Sequence, residues 1–188
     1  IYNSEDTRRR TEARLPDPPA GIVAHLGTEK VNAVPLDLPA GLPPDTAYFV
    51  CIGTIEPRKN HTFLLDIWEE MGPDAPQQII AGSRGWKNEA VFERLDALPA
   101  GARIKEVAGL SDGALAALVE SAAGVLFPTH AEGFGLPASE AAARGTPVIV
   151  NDLDVFREFL GDIPVYASVS DRYLWINKIK KLAEAAPH

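Results

Sequence analysis

The sequence predicts an α/β protein, a parallel sheet with helices on both faces, and three observations predict it. Short apolar runs recur at residues 47–52, 77–81, 103–107, 125–127 and 147–150. Segments of helical periodicity lie between them, such as 60–71 with Phe63, Leu64, Ile67 and Trp68 on one face. The connections are short and glycine-rich, and strand–helix alternation with short connections implies a parallel sheet wrapped on both sides. In that architecture ligands sit outside the carboxyl ends of the strands, where the strand order reverses.

Taken in order, Ser4 is placed to cap a short helix starting at Glu5 and Asp6, whose charges suit its N-terminal end. The Arg8-Arg9-Arg10 run reads as a solvated helix face rather than a phosphate patch, since three residues are short for a binding tract. Residues 21–27 form a short apolar strand closed by glycine. Residues 28–46 hold Pro35, Pro39, Pro43 and Pro44 and read as an extended connector, which divides the chain into 1–45 and 46–188. Beyond it the strands named above alternate with helices over 60–71, 86–98 and 111–122, the last capped by Ser111 with Asp112 in its first turn. Helices over 154–160 and 173–185 and an edge strand over 164–166 complete the chain.

With 188 residues, 46% of them hydrophobic, the chain can bury a sizeable core as one good domain plus a fragment. Twenty-six acidic against 18 basic residues give a net charge of −8, which argues against a general nucleic-acid or membrane-surface role. Any anion must then be held by local donors. The single Cys51 lies in an apolar run and reads as a small core hydrophobe, compatible with a reducing compartment. No apolar run reaches the roughly 18 residues needed to span a membrane. A chain opening Ile-Tyr-Asn without methionine reads as an excised piece of a longer protein.

The functional signal is concentrated in residues 127–150, FPTHAEGFGLPASEAAARGTPVIV. A strand stops at Pro128, a loop carries Glu132, Gly133, Phe134 and Gly135, and a helix starts at Leu136-Pro137, where proline suits the first turn. Arg144-Gly145 ends that helix and a buried strand follows. A loop entering a helix at the end of a parallel strand presents free N–H groups and a positive dipole end, which is an anion site. Glu132 and Glu140 flank it, and ionised carboxylates accept hydroxyl protons well, so the combination suits a sugar joined to a phosphate. Glu140 alone also reads as a solvated helix residue. Other loops converge on the same rim: Gly53 and Thr54 lead into Arg58 and Lys59, and Gly82 and Ser83 close the second strand. Two cations just before a helix sit against its macrodipole unless an anion lies between them, or unless Arg58 simply pairs with Glu56.

These motifs, together with Gly109-Leu110-Ser111-Asp112, resemble the carboxyl-terminal half of the family 4 glycosyltransferases, retaining GT-B enzymes built from two Rossmann-like domains facing across a cleft. The resemblance covers about residues 47–150. Tyr2-Asn3-Ser4-Glu5 and His25-Leu26-Gly27 look like the end of such an enzyme's first domain. It implies a Rossmann-like domain at 46–188 that binds a nucleotide diphosphate sugar as substrate, without a cofactor. Lys59 and Arg58 would hold the diphosphate, and the N–H groups of Gly133, Phe134, Gly135 and Leu136 would bind phosphate and sugar. Glu132 would accept from sugar hydroxyls, and Glu140 would hold the ribose. Main chain around Val107 and Gly109 would meet the base, with Gly53, Thr54, Gly82 and Ser83 lining the pocket. Many members carry arginine where this chain has Thr54, which shifts phosphate neutralisation onto Arg58 and Lys59.

The resemblance also implies a cytoplasmic enzyme, with peripheral membrane association only through the rest of its first domain. The acceptor would be a glycan, a lipid-linked sugar or a small molecule, and this fragment would be inactive alone. No metal is implied: Asp152-Leu153-Asp154 looks like an Asp-x-Asp motif, but Asp154 reads as the cap of the next helix. His130 reads as a loop histidine making local hydrogen bonds, and Trp86 and Phe134 as core aromatics. The alternative function is a non-catalytic nucleotide or nucleotide-sugar binding module.

Overall fold

The computed structural model describes residues 1–28, 31–39, 41–42 and 46–186. Its strands are β1 (Tyr48–Ile52), β2 (Gln77–Ala81), β3 (Ile104–Val107), β4 (Gly124–Phe127), β5 (Val148–Val150) and β6 (Val165–Tyr166). All pair in parallel in the order β3-β2-β1-β4-β5-β6. Chain order therefore reverses between β1 and β4, which opens a crevice at their carboxyl ends.

The helices are α1 (Glu5–Glu12), α2 (His61–Met71), α3 (Glu89–Asp96), α4 (Asp112–Glu120), α5 (Leu136–Ala143), α6 (Asp154–Leu160) and α7 (Arg172–Ala185). Alternate strand residues feed two cores, as the twofold strand period requires. Val50, Ile79, Val125, Val148 and Val150 pack under Leu118, Ala138, Ala141 and Phe156 of α4, α5 and α6. Phe49, Cys51, Leu126 and Ile149 pack under Phe63, Leu64 and Ile67 of α2 and Trp175 and Ile179 of α7, while Ile80 meets Val91 and Leu95 of α3. Strands buried on both faces explain why their sequences are continuous apolar runs rather than alternating ones.

Several expectations change in detail. The strand expected at 21–27 is only a single bridge between Tyr2 and Val23, because no other segment among the described residues pairs with it. The helix expected over 86–98 is shortened to α3: Lys87 takes a positive φ of 50° and Asn88 a non-helical φ of −138° with ψ of 31°, so helical geometry starts at Glu89. Asp154 is not a cap; Leu153 occupies that position, and Asp154 bonds Arg9 of α1 instead. Ser4 and Ser111 do cap α1 and α4, accepting from Thr7 and Ala114. The arginine run lies along α1, with Arg8, Arg9 and Arg10 paired to acidic residues of that helix. Within the expected connector, Pro35–Asp37 form a 3-10 turn that packs near α4, and Pro43 and Pro44 lie outside the described residues.

Candidate functional site

The β1–α2 loop builds one wall of the switch-point crevice. Gly53 ends β1, and residues 57–59 form a 3-10 turn whose last carbonyls lead into Asn60 at φ 57°, a left-handed conformation that asparagine tolerates. Arg58 and Lys59 thus belong to a separate turn before α2 rather than to its first turn. The Lys59 stem runs across Gly53, within 3.2 Å of where a Cβ would stand, and points its ammonium inward.

The β4–α5 loop builds the facing wall. Lys59 Nζ donates to Glu132 Oε1 at 2.7 Å, and Arg58 donates to Glu132 Oε2 at 2.7 Å and to the Ala131 carbonyl at 2.8 Å. Arg58 also donates to Glu56 Oε1 at 2.6 Å. The Lys59 and Glu132 side chains are only 10% and 8% exposed, so this is a nearly buried pair. Two cations and two carboxylates compensate one another, and the conflict between these cations and the α2 macrodipole needs no anion to resolve it. Partial burial opposes charge on Arg58, but Glu132 and Glu56 outweigh it and raise the guanidinium pKa. Each Glu132 oxygen has spent one lone pair on a cation and retains acceptor capacity for another donor.

Glu140 stands apart from this cluster. It lines a cavity of about 350 Å³ with Leu136 and Pro137 of α5, Ile52 at the end of β1 and Asp112 and Leu115 of α4. Glu132 is not among the residues lining that cavity. The start of α5 lies between the two groups: Gly135, at φ 94°, turns the chain against Phe156, and Leu136 begins the helix. Among the described residues, no protein acceptor pairs with the N–H groups of Gly133, Phe134, Gly135 or Leu136.

The remaining predicted positions fall on the same carboxyl rim but do not converge on the charged cluster. Gly82 donates to the Val107 carbonyl at 2.9 Å, and Ser83 accepts from Ile55 at 2.9 Å, which continues the β1–β2 pairing outward. A Cβ at Gly82 would stand 2.0 Å from the Gly53 carbonyl, so close backbone approach already explains that glycine. Thr54 and Gly109 are exposed, and Val107 is half-buried. Phe134 is buried, stacked on Phe159 at a centroid distance of 4.4 Å. Trp86 is not a core residue: it is 64% exposed, because the turn at Lys87 carries it off the sheet before α3 begins.

Three residues to which the sequence reading gave no role, together with Glu56, the alternative partner it offered for Arg58, tie the two walls together. The Thr129 hydroxyl, buried, spans the carbonyls of Arg58 and Ala131, both at 2.9 Å. Asn60 donates to the Pro128 carbonyl at 3.1 Å, and Asn151 donates to the Thr129 carbonyl at 2.9 Å. Glu56 is 4% exposed and anchors Arg58 from the far side. The left-handed position before α2 is the one local signal that could have marked Asn60. Asp152 and Asp154 bind Arg157 and Arg9, respectively. The His130 main chain donates to the Arg58 carbonyl at 2.9 Å.

A doubly wound parallel sheet in this order, with its glycine-hinged helix start at the switch point, defines a Rossmann-like domain of the kind that forms the C-terminal half of GT-B glycosyltransferases. The solved structure of TarM superposes on 99% of this chain and 36% of its own with a TM-score of 0.74 and 17% identity, a likeness of fold. The chain belongs to the glycosyl transferases group 1 family, whose model matches residues 39–184. The serotype-specific mannosyltransferase WbdA of Escherichia coli is 34% identical over 123 residues, covering 64% of this chain and 15% of that protein. The O-antigen chain mannosyltransferase RfbU of Salmonella typhimurium is 30% identical over 138 residues, covering 73% of this chain and 38% of that protein. The chain therefore spans well under half the length of either curated relative. Among the described residues no helix is long and apolar enough to cross a membrane.

Proposed function

We propose that residues 46–188 form the donor-binding domain of a retaining glycosyltransferase, that residues 1–45 are the end of its first domain and a connector, and that the donor is a nucleotide diphosphate sugar. The observation that carries this reading is the convergence of Lys59, Arg58 and Glu132 at the switch point, beside the unpaired N–H groups of Gly133 to Leu136.

A diphosphate at the start of α5 would receive those N–H groups and the remaining protons of Lys59 and Arg58. During transfer the bond between the sugar's anomeric carbon and the diphosphate oxygen breaks with its electron pair moving to phosphate. The acceptor hydroxyl oxygen bonds that carbon and passes its proton to the departing diphosphate oxygen. Preorganised cations and N–H dipoles lower the barrier because they face charge that grows on the leaving group. Glu132, oriented by its two cations, accepts from sugar hydroxyls with its remaining lone pairs, and Glu140 accepts from the ribose in the neighbouring cavity. The presence of both glutamates and Lys59 favours a catalytic domain over a binding module that has lost turnover.

The acceptor, a glycan, lipid-linked sugar or small molecule, would be held by the rest of the first domain, so the 188-residue chain would bind donor without turning it over. Isothermal titration calorimetry with uridine, guanosine and adenosine diphosphates and their mannose and glucose conjugates tests the donor site; mannose takes precedence because the named relatives are mannosyltransferases. Binding of one diphosphate series supports the reading, and no heat from any of them at millimolar concentration overturns it. Product anomeric configuration by NMR with the full-length enzyme tests retention.

A further inference from the structure

The glycine loop is gripped by a helix that precedes the sheet domain. Thr7 Oγ1 donates to the Gly133 carbonyl at 2.9 Å, and Ser4 Oγ lies 3.1 Å from the same oxygen and 2.8 Å from Thr7 Oγ1. The helix carrying these hydroxyls is itself anchored on α6. Glu158 accepts from the N–H groups of Glu5 and Asp6 at 2.7 and 3.1 Å, and Arg9 donates to Asp154 at 2.6 Å. One residue further along the loop, the Phe134 ring is stacked on Phe159 of the same α6. The Gly133–Phe134 peptide is therefore fixed at both ends, by a hydroxyl on its carbonyl and a ring on its following residue.

A trans peptide holds its C=O and the following N–H on opposite sides of the C–N bond. Whatever fixes the Gly133 carbonyl toward α1 also fixes the Phe134 N–H away from it. Gly133 has no side chain to set that orientation itself, and a Cβ there would meet only Asn3 at 3.5 Å, so steric crowding does not set it either. We propose that Thr7, supported by Ser4, is a positioning residue for donor binding: it holds the Gly133 carbonyl so that the Phe134 N–H is presented to the donor phosphate. This rests on the donor-site reading above. It makes the segment before the sheet domain a determinant of phosphate affinity, with no contact to the ligand.

Ser4 also caps α1 by accepting from the Thr7 N–H at 3.0 Å, so its removal would fray the helix, and Thr7→Val is the cleaner variant. Calorimetry uses uridine, guanosine and adenosine diphosphates and the matching nucleosides, on the wild-type chain and on Thr7→Val and Thr7→Ser. Thr7→Val is expected to raise the Kd of the preferred diphosphate roughly threefold to tenfold, the worth of one hydrogen bond, and to leave the nucleoside Kd unchanged. Thr7→Ser is expected to restore wild-type affinity. Equal losses for diphosphate and nucleoside, wild-type affinity in Thr7→Val, or no rescue by serine would each overturn the inference while leaving the donor site intact. Absence of diphosphate binding by the wild-type chain would instead remove the donor reading and this inference with it. Should Thr7→Val fold poorly, the wild-type protein decides alone: the Phe134 amide resonance must shift on titration with the diphosphate, and a Phe134 amide that stays in place refutes the role.

Discussion

Lys59 Nζ and Glu132 Oε1 meet at 2.7 Å across 73 positions of sequence, with both side chains at least nine-tenths buried. Removing one member of such a pair leaves the other as an uncompensated buried charge, which costs about 3–5 kcal/mol. The two members are not equivalent, because Arg58 also holds Glu132. Glu132→Gln strands Lys59 and is expected to lower unfolding free energy by about 3 kcal/mol or more. Lys59→Met leaves Glu132 paired with Arg58 and is expected to cost less than half of that. Urea denaturation of the two variants measures the asymmetry, and equal losses would mean that Arg58 does not share the carboxylate.

Ligand binding separates the two glutamate environments. Lys59→Ala is expected to weaken diphosphate binding much more than nucleoside binding, since on the proposed donor reading its ammonium, held by Glu132, would also meet the diphosphate. Glu140→Gln is expected to weaken both, because on the proposed donor reading its cavity would receive the ribose. Titration of diphosphate and nucleoside against each variant checks this, and a Glu140 variant with unchanged nucleoside affinity would remove Glu140 from the site.

Two glycines of the rim should respond oppositely to alanine. At Gly82 the added Cβ would lie 2.0 Å from the Gly53 carbonyl, backbone that cannot rotate away, and Gly82→Ala is expected to cost about 3 kcal/mol or to prevent folding. At Gly133 it would meet only the Asn3 amide at 3.5 Å, and Gly133→Ala is expected to fold with near wild-type stability. Thermal melting of both variants decides between them.

His61, the first residue of α2, is 1% exposed, and burial, followed by the nearby Lys59 charge, pushes its pKa down to about 4 from 6.5. The folded state holds this imidazole neutral, and the unfolded chain protonates it first. Its contribution to stability is present above pH 6.5 and is lost as pH falls toward 4, in total on the order of 3 kcal/mol. His61→Leu is expected to flatten the stability profile between pH 6.5 and 4, as followed by urea midpoints. An unchanged slope would assign the acid sensitivity elsewhere, such as to Glu158. Two N–H donors and His25 hold the Glu158 pKa below its ordinary value despite burial, so its stabilisation is lost at still lower pH.

Much of this protein was legible in its sequence. Ser4 and Ser111 are caps by residue type and by the run that follows them, and both caps form. The start of α5 at Leu136 follows from a glycine in a left-handed turn and a proline in the first helical turn. Both signals act within a few residues. The failures occur where short-range preference was outweighed: 86–88 have adequate helix formers, yet the pairing of Arg84 with Ile55 and the turn at Lys87 delay α3 and leave Trp86 exposed. Asp154 has a cap's residue type, but Arg9 on a distant helix claims its carboxylate.

By itself, then, the sequence determined the order of strands and helices, their burial on two faces and the position of the glycine loop, since periodicity and turn chemistry are local properties of the chain. Tertiary structure alone decided that Glu132 is clamped by Lys59 and Arg58, that Glu140 faces a different cavity, and that Thr7 holds the Gly133 carbonyl. Those contacts join positions far apart in the chain. Hydrogen bonds and ion pairs act only at close range in space, so no pattern along the sequence records which partners the fold brings within reach.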